Sequence, residues 1–307
     1  MPTHHVTNGD VCADALRATG ATPLIVWRDV LHAGPVPAGL DSAQLAAVRA
    51  SFLASQGWTD LAEALALFAE RDAALLGAPG GVLWFEYDLY DQLQLVQVLA
   101  TLAARPGGAG SWTLVEGAPP LLVATAAARA RLEASAQPVT QDTLALATRA
   151  WQALCAPDPR AAAALLDEDL SALPHLREAW ARWLEELPAP GTGLTRTERQ
   201  LLEVLAPGPL PFVSLFVRWA AQEPLPWMGD STLLMHLRVL AQAGAVLHGP
   251  QGWQLTSGGE ALLRGEADFA RLGGARHWWG GTCLAEPAAS GWRWDAAARS
   301  LVEAGFV

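Results

Sequence analysis

The sequence predicts an α/β fold, a parallel sheet layered with helices, followed by a mainly helical region that closes on a short hairpin. Three observations carry this. Apolar runs of strand length alternate with amphipathic runs of helix length through the first 117 residues. The first three apolar runs each end in a carboxylate, and the first and third lead straight into helix-like sequence. Beyond residue 193, three helical segments precede two β-rich runs that flank a Gly-Pro-Gln-Gly turn.

The elements follow in order. His4-His5-Val6-Thr7-Asn8-Gly9-Asp10 reads as the first strand and its exit. Residues 11–19 place Ala13, Leu16 and Ala18 on a helix that Gly20 closes. Leu24-Ile25-Val26-Trp27-Arg28-Asp29 is the second strand, and the glycine and prolines of residues 31–37 forbid regular structure after it. Asp41 caps a helix to about residue 56, and Thr59 or Asp60 caps another to 76. Val82-Leu83-Trp84-Phe85-Glu86-Tyr87-Asp88 is the third strand, residues 89–104 a long helix, and 111–116 the fourth strand. Strands alternating with helices make residues 1–135 a Rossmann-like domain with right-handed crossovers.

Residues 136–190 form a helical, alanine-rich connector with a break at Pro157-Asp158-Pro159, and residues 188–193 read as a linker. From 191 to 307, Thr195 with Glu198 three residues on is a capping-box signal for a helix ending near 205. Helices over 212–222 and 231–243 and a hairpin over 245–256 complete a winged-helix-like outline, followed by a Trp-rich tail.

Composition narrows the function classes. The chain has 307 residues and a net charge of −11, and all 20 basic residues are arginine. Without lysine there is no P-loop lysine, no Schiff base and no Ser-Lys dyad. Residues 1–110 carry −6, 111–190 carry −4 and 191–307 carry −1, so no region offers the basic footprint that tight nucleic-acid binding needs. No apolar run approaches the roughly 20 residues of a membrane span, and the N-terminus lacks a signal-peptide pattern. The expectation is a cytoplasmic protein. Cys12, Cys155 and Cys283 have no CxxC spacing and read as small hydrophobes.

Three N-terminal motifs carry a resemblance: His5-Val6-Thr7-Asn8-Gly9-Asp10, Trp27-Arg28-Asp29-Val30-Leu31-His32-Ala33-Gly34-Pro35-Val36, and Leu83-Trp84-Phe85-Glu86-Tyr87-Asp88-Leu89-Tyr90-Asp91-Gln92-Leu93-Gln94-Leu95. They resemble the bacterial domain family of unknown function DUF1835. Leu194-Thr195-Arg196-Thr197-Glu198, Met228-Gly229-Asp230, Trp279-Gly280-Gly281 and Trp292-Arg293-Trp294-Asp295 resemble the helical region found with it. The resemblance implies an architecture and no established activity. It leads one to expect histidine where Tyr87 stands, so that position is a doubtful metal ligand.

The chemistry is therefore argued from residues. Asn8-Gly9-Asp10 at a strand-to-helix junction lets backbone approach an anion, although Asp10 repels one and serves equally as a helix cap. Asp10, Asp29, Glu86 and Asp88 converge if their strands are neighbours, an oxygen set suited to Mg²⁺ or Mn²⁺. Strand alternation puts Glu86 and Asp88 on one face; the alternative is that Asp29, Asp88 and Asp91 are turn and cap residues. His5 and His32 are candidate acid/base groups or ligands, and Arg28 or Arg49 a bidentate clamp. Asn8, Gly9, Asp88 and Gln92 complete the candidate substrate-binding set. In the third helix after the linker, Ser231, Thr232, His236 and Arg238 face a DNA groove in a winged-helix reading, but the window 194–269 holds 5 Arg against 7 acids. Trp180 and Trp183 have core spacing. The leading expectation is a metal-assisted hydrolase or transferase for a phosphorylated or nucleotide-like small molecule. The alternative is a ligand-sensing regulator whose winged helix contacts DNA or a protein.

Overall fold

The computed structural model describes residues 3–106, 108–117, 125–274, 277–286, 289 and 291–304. Strand β1 (His4–Asn8) leads through α1 (Asp10–Ala18) to β2 (Leu24–Trp27). After a loop come α2 (Ser42–Ser55), α3 (Leu61–Gly77), β3 (Gly80–Glu86), α4 (Leu89–Ala103) and β4 (Ser111–Gly117). The sheet is completed by α5 (Ala126–Ser135) and β5 (Gln137–Pro138), in the order β2-β1-β3-β4-β5. β1 to β4 are parallel and β5 is antiparallel, so the chain is mixed α/β with a mostly parallel five-stranded sheet. From β1 the chain winds first to one side, to β2, and then back past β1 to β3. The order therefore reverses between β1 and β3, the place where open α/β sheets leave a crevice for ligands.

Local chemistry sets most boundaries. Asp41 accepts from the Gln44 amide and Gln44 reaches back to it, a complete capping box. Asp60 accepts from the Ala62 and Glu63 amides and starts α3. β3 ends at Glu86, two residues short of the expected end, because Asp88 turns to cap α4 by accepting from the Asp91 amide at 3.0 Å. Face-sharing along a strand is therefore not what relates Glu86 to Asp88; a turn is. β5 has no counterpart in the sequence pattern, being two exposed residues ending in a proline.

The connector is helical as read: α6 (Gln141–Cys155), α7 (Pro159–Leu165) and α8 (Leu176–Leu184), with Asp158 capping α7 and Pro159 in its first turn. Next come α9 (Arg196–Leu205), with both halves of the Thr195/Glu198 box formed, α10 (Phe212–Ala220), α11 (Asp230–Gln242) and the hairpin β6 (Val246–Gly249) and β7 (Gly252–Leu255). The chain closes with α12 (Ser257–Leu263), β8 (Trp278–Trp279), β9 (Thr282–Cys283), β10 (Trp292–Asp295) and β11 (Ser300–Glu303). Residues 188–193 do not behave as a linker. The Pro188 carbonyl accepts from the Trp294 amide at 2.9 Å and the Thr192 carbonyl from the Phe269 amide at 2.7 Å. One contiguous apolar core runs from Val6 of β1 to Trp294 of β10. Trp180 and Trp183 are fully buried in it, and Trp183 stacks on Trp279 with ring centroids 3.8 Å apart. No described helix is long and apolar enough to cross a membrane.

One buried ion pair shapes the loop after β2. Arg49 of α2 forks onto the Asp29 carboxylate, with Nη2 at 2.8 Å, and donates to the carbonyls of Val30 (2.8 Å), Ala33 (2.7 Å) and Pro35 (3.1 Å). Both side chains are essentially sealed from solvent. The expected metal or catalytic role of Asp29 and clamp role of Arg49 thus give way to structure, because each satisfies the other and the loop backbone. The loop then threads on, with the Val36 amide reaching the Gly280 carbonyl at 2.8 Å. Arg49→Ala strands a buried carboxylate and three carbonyls and should cost about 3–5 kcal/mol in urea unfolding. Arg49→Lys should restore little of it, because an ammonium cannot fork; full recovery by lysine would refute this account of the loop.

Candidate functional site

The carboxyl ends of β1, β3 and β4 bring polar side chains together. Asp91, in the first turn of α4, accepts from the Glu86 amide at 2.7 Å and from the Asn8 side-chain amide. One carboxylate therefore ties β1, β3 and α4. Asp88 caps the same helix from the turn. Gln92, one residue further, donates to the Glu86 carbonyl (3.0 Å) and to Glu116 of β4 (3.1 Å). The Cys12 thiol of α1 lies 3.5 Å from Glu86 Oε1.

The result is a buried carboxylate cluster. Glu86, Asp88 and Asp91 each offer an oxygen, and these atoms lie within 4.8 Å of one another. Three negative charges at this depth are untenable without protons or a cation. Burial accordingly pushes Asp88 up to about 7, with the neighbouring Glu86 charge adding to it. Asp91 is pushed upward for the same two reasons, with Asp88 its largest neighbouring charge, and burial raises Glu116. Burial also drives the Cys12 thiol up to about 12, so it is no nucleophile. Three carboxylate oxygens gathered this closely are the hard donor set that Mg²⁺ or Mn²⁺ would take, and either ion would neutralise their charge. The Gln92 amide oxygen, buried with no hydrogen-bond partner among the described residues, is a further hard oxygen at this edge.

Asp88 is the member of the three that lines an open cleft. With Tyr87 and Leu89 it lines a cleft of about 620 Å³ between the sheet edge, α8 and the C-terminal segments. Arg177, Arg182, Arg196 and Arg299 line the same cleft, with Trp227 and Trp294 as its apolar surfaces. Arg182 is spent on Glu186 (2.6 Å) and Glu223 (2.8 Å), and Arg196 on Glu185 (2.6 Å). Arg177 is held by the carbonyls of Leu166 (2.6 Å) and Glu168 (2.7 Å), and neither it nor Arg299 has an ion pair among the described residues. Arg299 sits at φ 51°, a left-handed conformation that costs a non-glycine residue about 1 kcal/mol or more.

The other sequence candidates lie elsewhere. Asp10 is exposed and pairs with Arg28 at 2.5 Å, which spends the expected clamp on the expected ligand. Asp10 is also absent from the set of clustered ligand atoms, which holds Glu86, Asp88 and Asp91. Gly9, at φ 46°, caps α1 with open space beside it, so backbone can still approach a ligand there. His5 lies near the opposite end of β1, ~10 Å of strand from Asn8. It accepts from the Trp84 indole at 3.2 Å and is lowered to about 4 by burial, so it is a neutral core residue. His32 is packed between Tyr90 and Trp227, with centroids 5.7 and 4.9 Å away. In α11, Thr232 is buried and His236 sits 3.9 Å from Glu198, so neither faces a groove. Sequence reading passed over Asp91 as a mere cap, and it did not reach Glu116, Arg177 or Arg299. Only Asp91 had a local signal, three residues from Asp88 at the helix start.

Comparison with family models, with curated proteins and with solved structures finds no match to this chain.

The raised carboxyls set a pH dependence. The folded protein holds the Asp88 and Asp91 protons more tightly than the unfolded chain, where the ordinary value is 3.8. The stability they confer is complete below about 4 and is lost as pH rises through about 7. Denaturant unfolding should therefore show stability falling by a few kcal/mol, about, between pH 4 and 7. Asp88→Asn, which still caps α4, should flatten that fall. An unchanged slope in the variant would show that Asp88 titrates normally.

Proposed function

We propose that this protein is a metal-assisted hydrolase or transferase for a phosphorylated or nucleotide-like small molecule, acting at the carboxyl edge of a Rossmann-like sheet. The observation that supports it is the buried Glu86, Asp88 and Asp91 cluster opening through Asp88 onto a cleft lined by two arginines that make no ion pair among the described residues. A bound Mg²⁺ or Mn²⁺ would supply a Lewis acid for a phosphoryl oxygen or an attacking water. Glu86, Asp88 and Asp91 would hold it, and the burial that raises Asp88 and Asp91 supports a site that favours a neutralising cation.

The chain's own residues do the rest. Arg177 and Arg299 bind the anionic part of the substrate, with Arg177 fixed in place by the two carbonyls. Arg299 reaches the cleft from the turn between β10 and β11, at a φ of 51° that a non-glycine residue holds only at a cost. The largely buried Trp227 and Trp294 give the substrate an apolar wall. Without metal Asp88 is raised to about 7, so it gives up its proton to an incoming cation near neutral pH. Asn8 and Gln92 act as positioning residues, Asn8 on Asp91 and Gln92 on the Glu86 backbone and Glu116. The resemblance to DUF1835 and a cytoplasmic location belong to the same proposal. The regulator reading is less well supported, because Thr232 is buried and His236 is turned toward Glu198, which leaves α11 with Ser231 and Arg238 for a groove.

Thermal stability across Mg²⁺, Mn²⁺ and Zn²⁺, with and without a nucleotide panel, tests this reading. A ligand at about 100 times its dissociation constant should add roughly 2.7 kcal/mol. Glu86→Gln should remove the metal shift and any phosphoester turnover while the fold persists, and Arg299→Ala should weaken substrate about tenfold with metal binding kept. No shift with any metal would sink the metal-assisted form of the proposal.

A further inference from the structure

A second concavity, of about 320 Å³, lies where the loop after β2 meets the start of α11, and Trp227 is the residue its lining shares with the arginine cleft. Its walls are aromatic: Trp58 from the turn between α2 and α3, Tyr90 of α4, and Trp227. Both ring nitrogens of His32 and the indole Nε1 of Trp227 are buried, with no hydrogen-bond partner among the described residues. Trp227 is 6% exposed, and its ring is fixed edge-on to His32 at 89° and under the Arg182 guanidinium at 5.1 Å. Leaving such polar groups unmade is costly, on the order of 1–3 kcal/mol each. α11 also begins at this wall, with Gly229 as its N-cap and no side-chain cap. The Asp230 carboxylate takes the Ser231 amide at 2.7 Å, and the Asp230 and Thr232 amides remain among those a helix start cannot satisfy internally.

We propose that this concavity is a second ligand site, for a small aromatic carboxylate whose ring lies against Trp58, Tyr90 and Trp227 and whose carboxylate meets the Trp227 indole, His32 and the first turn of α11. Aromatic walls favour a ring, and convergent N–H donors at a helix start favour an anion. Burial lowers His32 to about 3, so it stays neutral and offers one N–H and one lone pair. The exposed Asp230 carboxylate at the rim favours a monoanion over a phosphate dianion. The site joins the β2 loop to α11, and it stands whether or not the carboxylate cluster binds metal.

Calorimetric titration of the full chain with benzoate tests this. One site with a dissociation constant at or below about 1 mM is expected. Benzamide and acetate, each lacking half of the match, should bind at least about tenfold more weakly. Trp227→Phe keeps the ring and removes the N–H, and should weaken benzoate by about tenfold or more. Trp58→Ala, on the half-buried rim, is the second variant and should show a comparable loss. Absence of saturable binding, or equal affinity in both variants, overturns the site. So does a loss confined to Arg299→Ala, which would seat benzoate in the arginine cleft.

Discussion

The Asp91 carboxylate is the point on which sheet, helix and site all rest. It accepts from Asn8 at the end of β1 and from the Glu86 amide at the end of β3, while its own amide goes to Asp88. Those bonds close the reversal in strand order and start α4 in one place. The same carboxylate is one of the three whose crowding makes the site chemically unusual. Fold and function are thus not separable here: the group that pins the sheet edge also creates the electrostatic demand for a proton or a cation.

Charge on this protein is organised locally. A net charge of −11 argues against any polyanionic partner in bulk, yet the fold gathers four arginines on one cleft. Two of them neutralise glutamates and keep the wall rigid; the other two leave positive charge facing the cleft. Asp88 lines the same cleft, so a carboxyl raised to about 7 and unpaired guanidiniums stand on one concave surface among the described residues. The tryptophans divide in the same way. Trp180, Trp183 and Trp279 weld the connector to the tail, whereas Trp227 and Trp294, though also buried, form part of the cleft wall.

Much of the fold was legible because its signals are local. Asp41, Asp60 and Thr195 announce helix starts through side-chain-to-amide chemistry that spans two or three residues. The strands of the sheet's parallel part are short apolar runs with clear punctuation, and β5, with neither, was missed. The site was legible at Glu86 and Asp88, and at Asn8 and Gln92 beside them, but not at Asp91, Glu116, Arg177 or Arg299. Asp29 and Arg49 have the right chemistry for a ligand and a clamp, and satisfy one another across the loop; Asp10 and Arg28 do the same on the surface. A sequence shows which charges are near in the chain but not which will be spent on each other. Arg177 and Arg299 reach the cleft from segments roughly 90 and 210 residues away from Asp88, and no local pattern marks them. Residues 188–193 mislead for a related reason: proline and glycine signal a turn, and tertiary hydrogen bonds decide whether that turn is a linker.

The central claim is that buried, partly protonated carboxylates at the end of β3 form a cation site. Calorimetric titration of Mn²⁺ into the protein near pH 6, repeated in buffers of different ionisation enthalpy, reads it directly. The account predicts one ion per chain with release of about one proton or more, as the metal displaces protons held by Asp88 and Asp91. Binding without proton release, or no binding at all, would contradict it.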